Sequence, residues 1–163
     1  AIAKTIGFPV IVKVAFGTHG KGVFLAKDEE SLWPIVDYLG IRDGNPMIVE
    51  EFIAEARSSD LRAFVIGGEV VGSMQRTAAD GDTRANTSNG GTGLPVELTQ
   101  DEQALAARVA KVFDLEIAGV DLIRSKRGPL VLEVNGNPGF RELEKVTSLD
   151  IAHKIIDYAV GQS

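Results

Sequence analysis

Asp121, Glu133 and Asn135 are the first residues of this sequence whose types and spacing call for chemistry. They lie in "AGVDLIRSKRGPLVLEVNGNPGF", two apolar runs joined by the turn-forming "SKRG". Successive strand residues point to opposite faces, so Val131, Glu133 and Asn135 are expected on one side, with Leu130, Leu132 and Val134 on the other. If the hairpin is symmetric about Arg127, Asp121 stands opposite Glu133. Two carboxylates about 5 Å apart repel by roughly 3 kcal/mol at an effective dielectric near 20, so a positive charge is expected between them. Hard divalent cations such as magnesium take oxygen ligands of this kind, and the lack of a His or Cys cluster argues against zinc. On these residues alone, a solvent-facing strand with unrelated charges remains an equal reading, and "NGNPG" can be a plain tight turn.

A second group suits an anion. Lys13 sits inside the apolar run "VIVKVA", where an ammonium needs a counter-charge or a route to water. Shortly after it, "GTHGKG" supplies Gly17, Gly20 and Gly22, residues that let backbone N–H groups approach a phosphate closely. The loop lacks the Gly-Lys-Ser/Thr ending of a Walker A motif, and a kinase would place it before the lysine. An edge-strand lysine beside an ordinary hairpin loop is the alternative.

Among the elements that must hold these residues, "FPVIVKVA" and "VFLA" read as strands of a hairpin. Asp28 caps a helix with Leu32, Ile35, Val36 and Leu39 on one face and Pro34 in or near the first turn. "MIVEEFI" resumes as a strand, and "DLRAFVI" and "EVVGSMQR" flank Gly67-Gly68, a strong hairpin signal. Residues 77–93 carry turn formers without apolar periodicity, as functional loops do. Thr99 with Glu102 three residues later forms a capping-box pattern, and Leu105, Val109, Val112 and Phe113 are expected to be that helix's buried stripe. A final amphipathic helix spans "LDIAHKIIDYAV". Interleaved hairpins and helices give an α+β domain with mostly antiparallel sheet.

The chain has 163 residues, 44% hydrophobic and 25% charged, which suits one globular domain with a substantial core. Its formal charge of −6 argues against general nucleic-acid binding. No apolar run reaches the length of a membrane helix. The absence of cysteine suits a reducing compartment, and the cytoplasm is the default. "AIAKTIG" reads as a helix end closed by Gly7, so the sequence is expected to be a fragment of a longer protein.

In their order, "PVIVK", "GTHGKGV", "VEEFI", "SSDLRAFVIGGEVV", "RTAADGDTRAN" and "AGVDLIRSKRGPLVLEVNGNPGF" resemble the ATP-grasp superfamily, and within it the RimK-type ligases that add glutamates to a ribosomal protein's C-terminus. The resemblance covers nearly the whole chain. It implies an ATP-grasp fold of two parts, residues 1–52 forming a small subdomain and 53–163 a larger one, with the family's N-terminal pre-ATP-grasp domain missing. The implied activity is ATP-dependent carboxylate–amine ligation through an acyl phosphate, joining glutamate to a protein, peptide or small-molecule carboxylate. A degenerate module that binds nucleotide without catalysis is the alternative, and relatives that form dimers or tetramers imply a homo-oligomer.

By the same resemblance, Lys13 holds the α/β phosphates and the loop containing Gly17, Gly20 and Gly22 covers them. Glu51 and Phe52 flank adenine, and Asp60 lies at the nucleotide. Arg76, Arg84 and Asn86 reach the transferred phosphate. Asp121, Glu133 and Asn135 bind magnesium or manganese.

Overall fold

Period-2 apolar runs broken by glycine become antiparallel strands, and they assemble into two sheets of three and five strands. The computed structural model describes residues 2–15, 22–43, 46–56, 58–78 and 92–161. Gly17, Gly20, Arg84 and Asn86 lie outside the described residues. The chain divides into two compact units, Ala1–Ala54 and Glu55–Ser163.

The first unit holds α1 (Ile2–Ile6), β1 (Val10–Val14), β2 (Val23–Ala26), α2 (Glu29–Asp43) and β3 (Met47–Glu51), with strand order β2-β1-β3. Both strand pairs are antiparallel. Gly7, at a φ of 91°, closes α1 by donating its N–H to Ala3 O. Val10, Val12 and Ala26 pack with Ala3, Leu32 and Leu39 to fill one side of the sheet. Ile35 and Val36 join that cluster, as the α2 periodicity predicts. Asp28 Oδ1 accepts the Ser31 N–H at 2.8 Å, the capping contact that starts the helix. Pro34 lies deeper than expected. It stands inside α2, beyond the first turn, on an exposed side where water can take the carbonyl it leaves unpaired.

The second unit contains β4 (Ser59–Ile66), β5 (Glu69–Thr77), β6 (Thr92–Pro95), α3 (Gln100–Val112), β7 (Ile117–Ser125), β8 (Gly128–Asn135), α4 (Arg141–Thr147) and α5 (Ile151–Gly161). Its sheet runs β6-β5-β4-β7-β8, with every neighbouring pair antiparallel. Gly67 and Gly68, with φ of 59° and 81°, make the tight turn between β4 and β5 that the Gly-Gly pair predicts. Leu61, Ala63, Val65, Ala118, Val120 and Leu122 project to one face and meet α3. Phe64, Ile66 and Met74 project to the other and meet Leu143 of α4 and Ile151 of α5. Phe140 adds an edge-to-face contact on Phe64, with ring centroids 6.0 Å apart.

The α3 stripe differs from expectation. Ala106 and Ala110 are its buried apolar residues, Leu105 and Val109 are partly covered, and Val112 and Phe113 are exposed. The small side chains let the helix lie close to the sheet. The helix ends at Val112, and Asp114 turns left-handed at a φ of 54°, which ends the helical repeat before Val112 and Phe113 are covered.

The α3 start is built as the sequence predicts. The Thr99 hydroxyl accepts the Glu102 N–H while Glu102 Oε2 accepts the Thr99 N–H at 2.9 Å, and Arg124 grips the same carboxylate at 2.6 and 3.0 Å. Arg124, and then the Thr99 N–H, hold the Glu102 carboxyl below the usual glutamate range against the opposing effect of burial. A depressed carboxyl stabilises the fold above its unfolded value, near pH 4.3, and that contribution is lost as pH falls through the folded value. Glu102→Ala is therefore expected to cost about 2 kcal/mol at pH 7 and progressively less as the pH is lowered through the folded value, as read by urea denaturation across an acid pH series.

Candidate active site

The face of the first sheet turned away from α1 and α2 is where Lys13 projects. Lys13 pairs with Val23 on one side and Ile48 on the other, and Ile11 pairs with Leu25 and Glu50. A lysine among four apolar side chains needs an anion, and it finds Glu50 at 2.5 Å. Glu50 was not singled out in the sequence; its neighbour Glu51 was. Glu51 pairs with Val10 on the opposite parity, so Glu50 is the acid that shares Lys13's face. Phe52 continues the strand by donating its N–H to Pro9 O at 3.4 Å. Gly22 has a φ of 82°, and a Cβ there would stand 2.1 Å from Val14 Cγ2, so only glycine fits where the glycine-rich loop rejoins β2.

The second sheet carries a denser arrangement. Beyond the apolar part of the α4/α5 face, alternation along β4, β5 and β7 brings Asp60, Arg62, Arg76 and Asp121 to the same side, with Asp60 opposite Arg76 and Arg62 opposite Asp121. Arg76 holds Asp60 through two hydrogen bonds of 2.7 Å. Arg62 holds Asp121 through two of 2.6 Å, and Arg76 adds a 2.7 Å contact to Asp121 Oδ2. The order of charges is Asp60, Arg76, Asp121, Arg62, alternating in sign and nearly free of water, with Arg76 only 5% and Asp121 only 4% exposed. Burial pushes Asp60 up to about 6 against the pull of Arg76. Burial also opposes the Arg76 cation, but the Asp60 and Asp121 carboxylates outweigh it and hold its pKa above the guanidinium range.

Asp121 does stand opposite Glu133, but by a different route from the symmetric hairpin. Ser125 pairs with Gly128, so the turn is centred between Lys126 and Arg127 rather than on Arg127. A bulge then shifts the register between Asp121 and Leu122, because Leu122 pairs with Val131 while Asp121 pairs with Glu133. Leu132 is the unpaired residue. Val131 therefore shares the side of Leu122, not that of Glu133 and Asn135, which corrects the simple alternation. An uninterrupted ladder would have set Glu133 against Val120 on the α3 face.

The "NGNPG" segment is more than a connector. Pro138 covers Gly119, where a Cβ would meet Pro138 Cβ at 2.7 Å, and the stem of Arg62 lies beside the same spot. Asn135 Oδ1 accepts the Asn137 N–H at 2.9 Å, which fixes the amide as the chain leaves β8.

The positive charges found at Asp121 are guanidinia on its β4 and β5 side, not between the two carboxylates, and among the described residues they make no hydrogen bond or ion pair with Glu133. A hard cation still fits by donor count. A carboxylate offers about four acceptor directions, and Asp121 uses three, one on Oδ1 and two on Oδ2. Glu133 is exposed, and the Asn135 oxygen keeps a second lone pair. Among the described residues no three His, Cys, Asp or Glu side chains converge as a metal cluster, so the third donor of such a site is the Asn135 amide. Arg62 was missed in the sequence. Its signal was its place two residues after Asp60 in "SDLR", on the same strand face.

Asp121 and Glu133 should differ sharply in their effect on stability. Asp121→Ala takes both hydrogen bonds from the Arg62 guanidinium and one from the buried Arg76, which keeps its pair with Asp60, and is expected to cost about 3–5 kcal/mol. Glu133→Gln changes an exposed group and should cost less than about 0.5 kcal/mol. Urea denaturation of the two variants measures both.

The RimK-like ATP-grasp domain family matches residues 1–159. The probable alpha-L-glutamate ligase of Legionella pneumophila (strain Corby) is 46% identical over 152 residues, 93% of this chain and 50% of that protein. Probable alpha-L-glutamate ligase 2 of Hahella chejuensis (strain KCTC 2396) is 48% identical over 160 residues, 98% of this chain and 52% of that protein. This chain spans about half the length of the curated relatives it matches. The crystal structure of a RimK domain protein ATP-grasp from Sphaerobacter thermophilus DSM 20745 superposes with a TM-score of 0.72 at 24% identity, covering 96% of this chain and 55% of that one. The ATP-grasp ligase PsnB, complexed with minimal precursor, Mg and ADP, gives a TM-score of 0.74 at 20% identity over 99% of this chain and 48% of that one. The fold is that of ATP-grasp proteins, and the chain belongs to the RimK-like ATP-grasp family.

Proposed function

We propose that the full-length protein is a cytoplasmic ATP-dependent carboxylate–amine ligase that joins glutamate to a carboxylate acceptor. The observation that carries this reading is the cross-strand pair Asp121 and Glu133, flanked by Asn135 and backed by Arg62 and Arg76 on one sheet face. Oxygen ligands for a cation beside fixed guanidinia suit phosphoryl transfer, which needs placement and charge neutralisation rather than a protein nucleophile. Glutamate is supported by the relatives named probable alpha-L-glutamate ligases, and a peptide acceptor by PsnB, whose structure is also known with precursor peptide PsnA2 and AMPPNP. Residues 1–52 serve as the smaller ATP-grasp subdomain and 53–163 as the larger, a reading supported by the nearby division into Ala1–Ala54 and Glu55–Ser163.

In this reading Lys13 binds α/β phosphate oxygens, exchanging Glu50 for phosphate, under the loop containing Gly17, Gly20 and Gly22. Glu51 and Phe52 flank adenine. Asp60 lies at the nucleotide and holds Arg76 in place through its two hydrogen bonds. Arg76, Arg84 and Asn86 steady the transferred phosphoryl group. Asp121, Glu133 and Asn135 hold magnesium, or manganese, which when bound neutralises phosphate charge. The acceptor carboxylate oxygen attacks the γ-phosphorus and ADP leaves. The glutamate amine then attacks the acyl carbon, phosphate departs, and the amine gives up a proton as the amide forms.

Incubating the full-length protein with ATP, magnesium, glutamate and candidate carboxylate acceptors should shift one acceptor's mass by a single glutamyl unit and release ADP only when that acceptor is present. Acceptor-independent nucleotide binding without ADP release would instead indicate a non-catalytic module. Glu133→Gln is expected to abolish turnover while leaving the unfolding transition unchanged. Lys13→Met should weaken ATP binding by about 2 kcal/mol, measured by calorimetric titration.

A further inference from the structure

A metal site whose principal carboxylate is already neutralised raises the question of when the metal can enter. Arg62 and Asp121 cancel each other through two hydrogen bonds of 2.6 Å, and Arg76 and Asp60 cancel through two of 2.7 Å. The quartet therefore contributes no net charge, and what remains on this face for a cation is Glu133, which makes no ion pair among the described residues. A bare dication approaching Asp121 meets two guanidinia within hydrogen-bond distance of that same carboxylate. A cation that arrives on a polyphosphate meets them with its own anion between, so the same two cations that repel the metal attract the complex.

We propose that Arg62 is a positioning residue that makes metal binding conditional on nucleotide: by neutralising Asp121 it keeps a lone divalent cation out and admits one carried by a nucleoside polyphosphate. This rests on the reading of Asp121, Glu133 and Asn135 as the metal ligands. Arg62 suits the task better than Arg76. Its two bonds go to Asp121 alone, whereas Arg76 divides its contacts between Asp60 and Asp121. It is also held in place, with its side chain 13% exposed and its stem packed by the Gly119 surface that Pro138 covers. A packed guanidinium cannot simply swing into solvent when a cation approaches. Nothing else in the strand requires arginine here, because the neighbours that face α3, Leu61 and Ala63, point the other way.

The test is a manganese titration of the full-length protein, followed by the loss of the free-ion electron paramagnetic resonance signal, with and without ADP. The wild type should bind manganese at least about tenfold more tightly with ADP than without it. Arg62→Gln should raise affinity for manganese alone by about tenfold and shrink the ADP effect, and Arg62→Lys, which keeps the charge but not the fork, should restore most of the dependence. Equal affinity with and without ADP in the wild type overturns the proposal even if Arg62→Gln fails to fold. So does an Arg62→Gln protein that folds by circular dichroism and binds manganese alone no better than the wild type. Glu133→Gln separates the two layers. If it abolishes manganese–ADP binding while Arg62→Gln changes nothing, the site stands and the role of Arg62 falls; if it leaves manganese–ADP binding intact, the site itself is wrong and the proposal goes with it.

Discussion

A carboxylate stripped of water needs partners for its oxygens, and Asp121 finds them in two guanidinia drawn from neighbouring strands. The rest of the second unit can be understood as what this requires. Strands β4, β5 and β7 must be adjacent and in a register that sets Arg62 beside Asp121 and Asp60 beside Arg76. Gly119 must lack a side chain so that Pro138 can cover the region where the Arg62 stem lies. The remainder of the same face must be apolar enough to hold α4 and α5, which Phe64, Met74, Leu143 and Ile151 achieve. Such a quartet adds little stability over a well-packed apolar patch of equal volume, because desolvating four charges offsets most of what their pairing returns. In the proposed function its task is to meet phosphate and metal rather than to add to stability.

The first unit shows the same division of a sheet into a structural and a chemical face. Val10, Val12 and Ala26 face the helices, while Lys13 projects among Ile11, Val23, Leu25 and Ile48 on the side the helices leave uncovered. Apolar surface beside a cation is a suitable setting for a nucleotide, whose base is flat and weakly polar and whose phosphates are charged. Glu50 satisfies the lysine meanwhile and keeps its amine from lying unpaired on an apolar surface.

Features set by local chemistry were legible in the sequence. The Gly-Gly turn, the Thr99–Glu102 box, the Asp28 cap and the Gly7 helix stop each depend on a few adjacent residues and occur as the residue types dictate. The family and fold could be recognised from the order of several weak motifs, none decisive alone. What escaped depends on distant partners. Arg62 reads as a surface arginine until β7 is laid beside β4, and Val112 and Phe113 look like core until the helix ends under them. The short strand β6 lacks strand-like composition and owes its form to pairing with β5. The Asp121–Glu133 pairing was anticipated from a turn placed wrongly by half a residue. The bulge compensated for that error, and no residue type near Leu132 announces it.

That bulge has a consequence for how this hairpin can vary. Leu132 stands outside the ladder, so the stretch between the turn and the site holds one residue of slack. If a residue near the turn is lost, Leu132 can be drawn into pairing and the positions beyond it keep their partners; the site is buffered against changes in loop length as a clutch isolates an engine from the wheels. Turn length and ligand placement are thereby uncoupled, and the tip of the hairpin is free to diverge for other purposes while the chemistry at its base stays aligned.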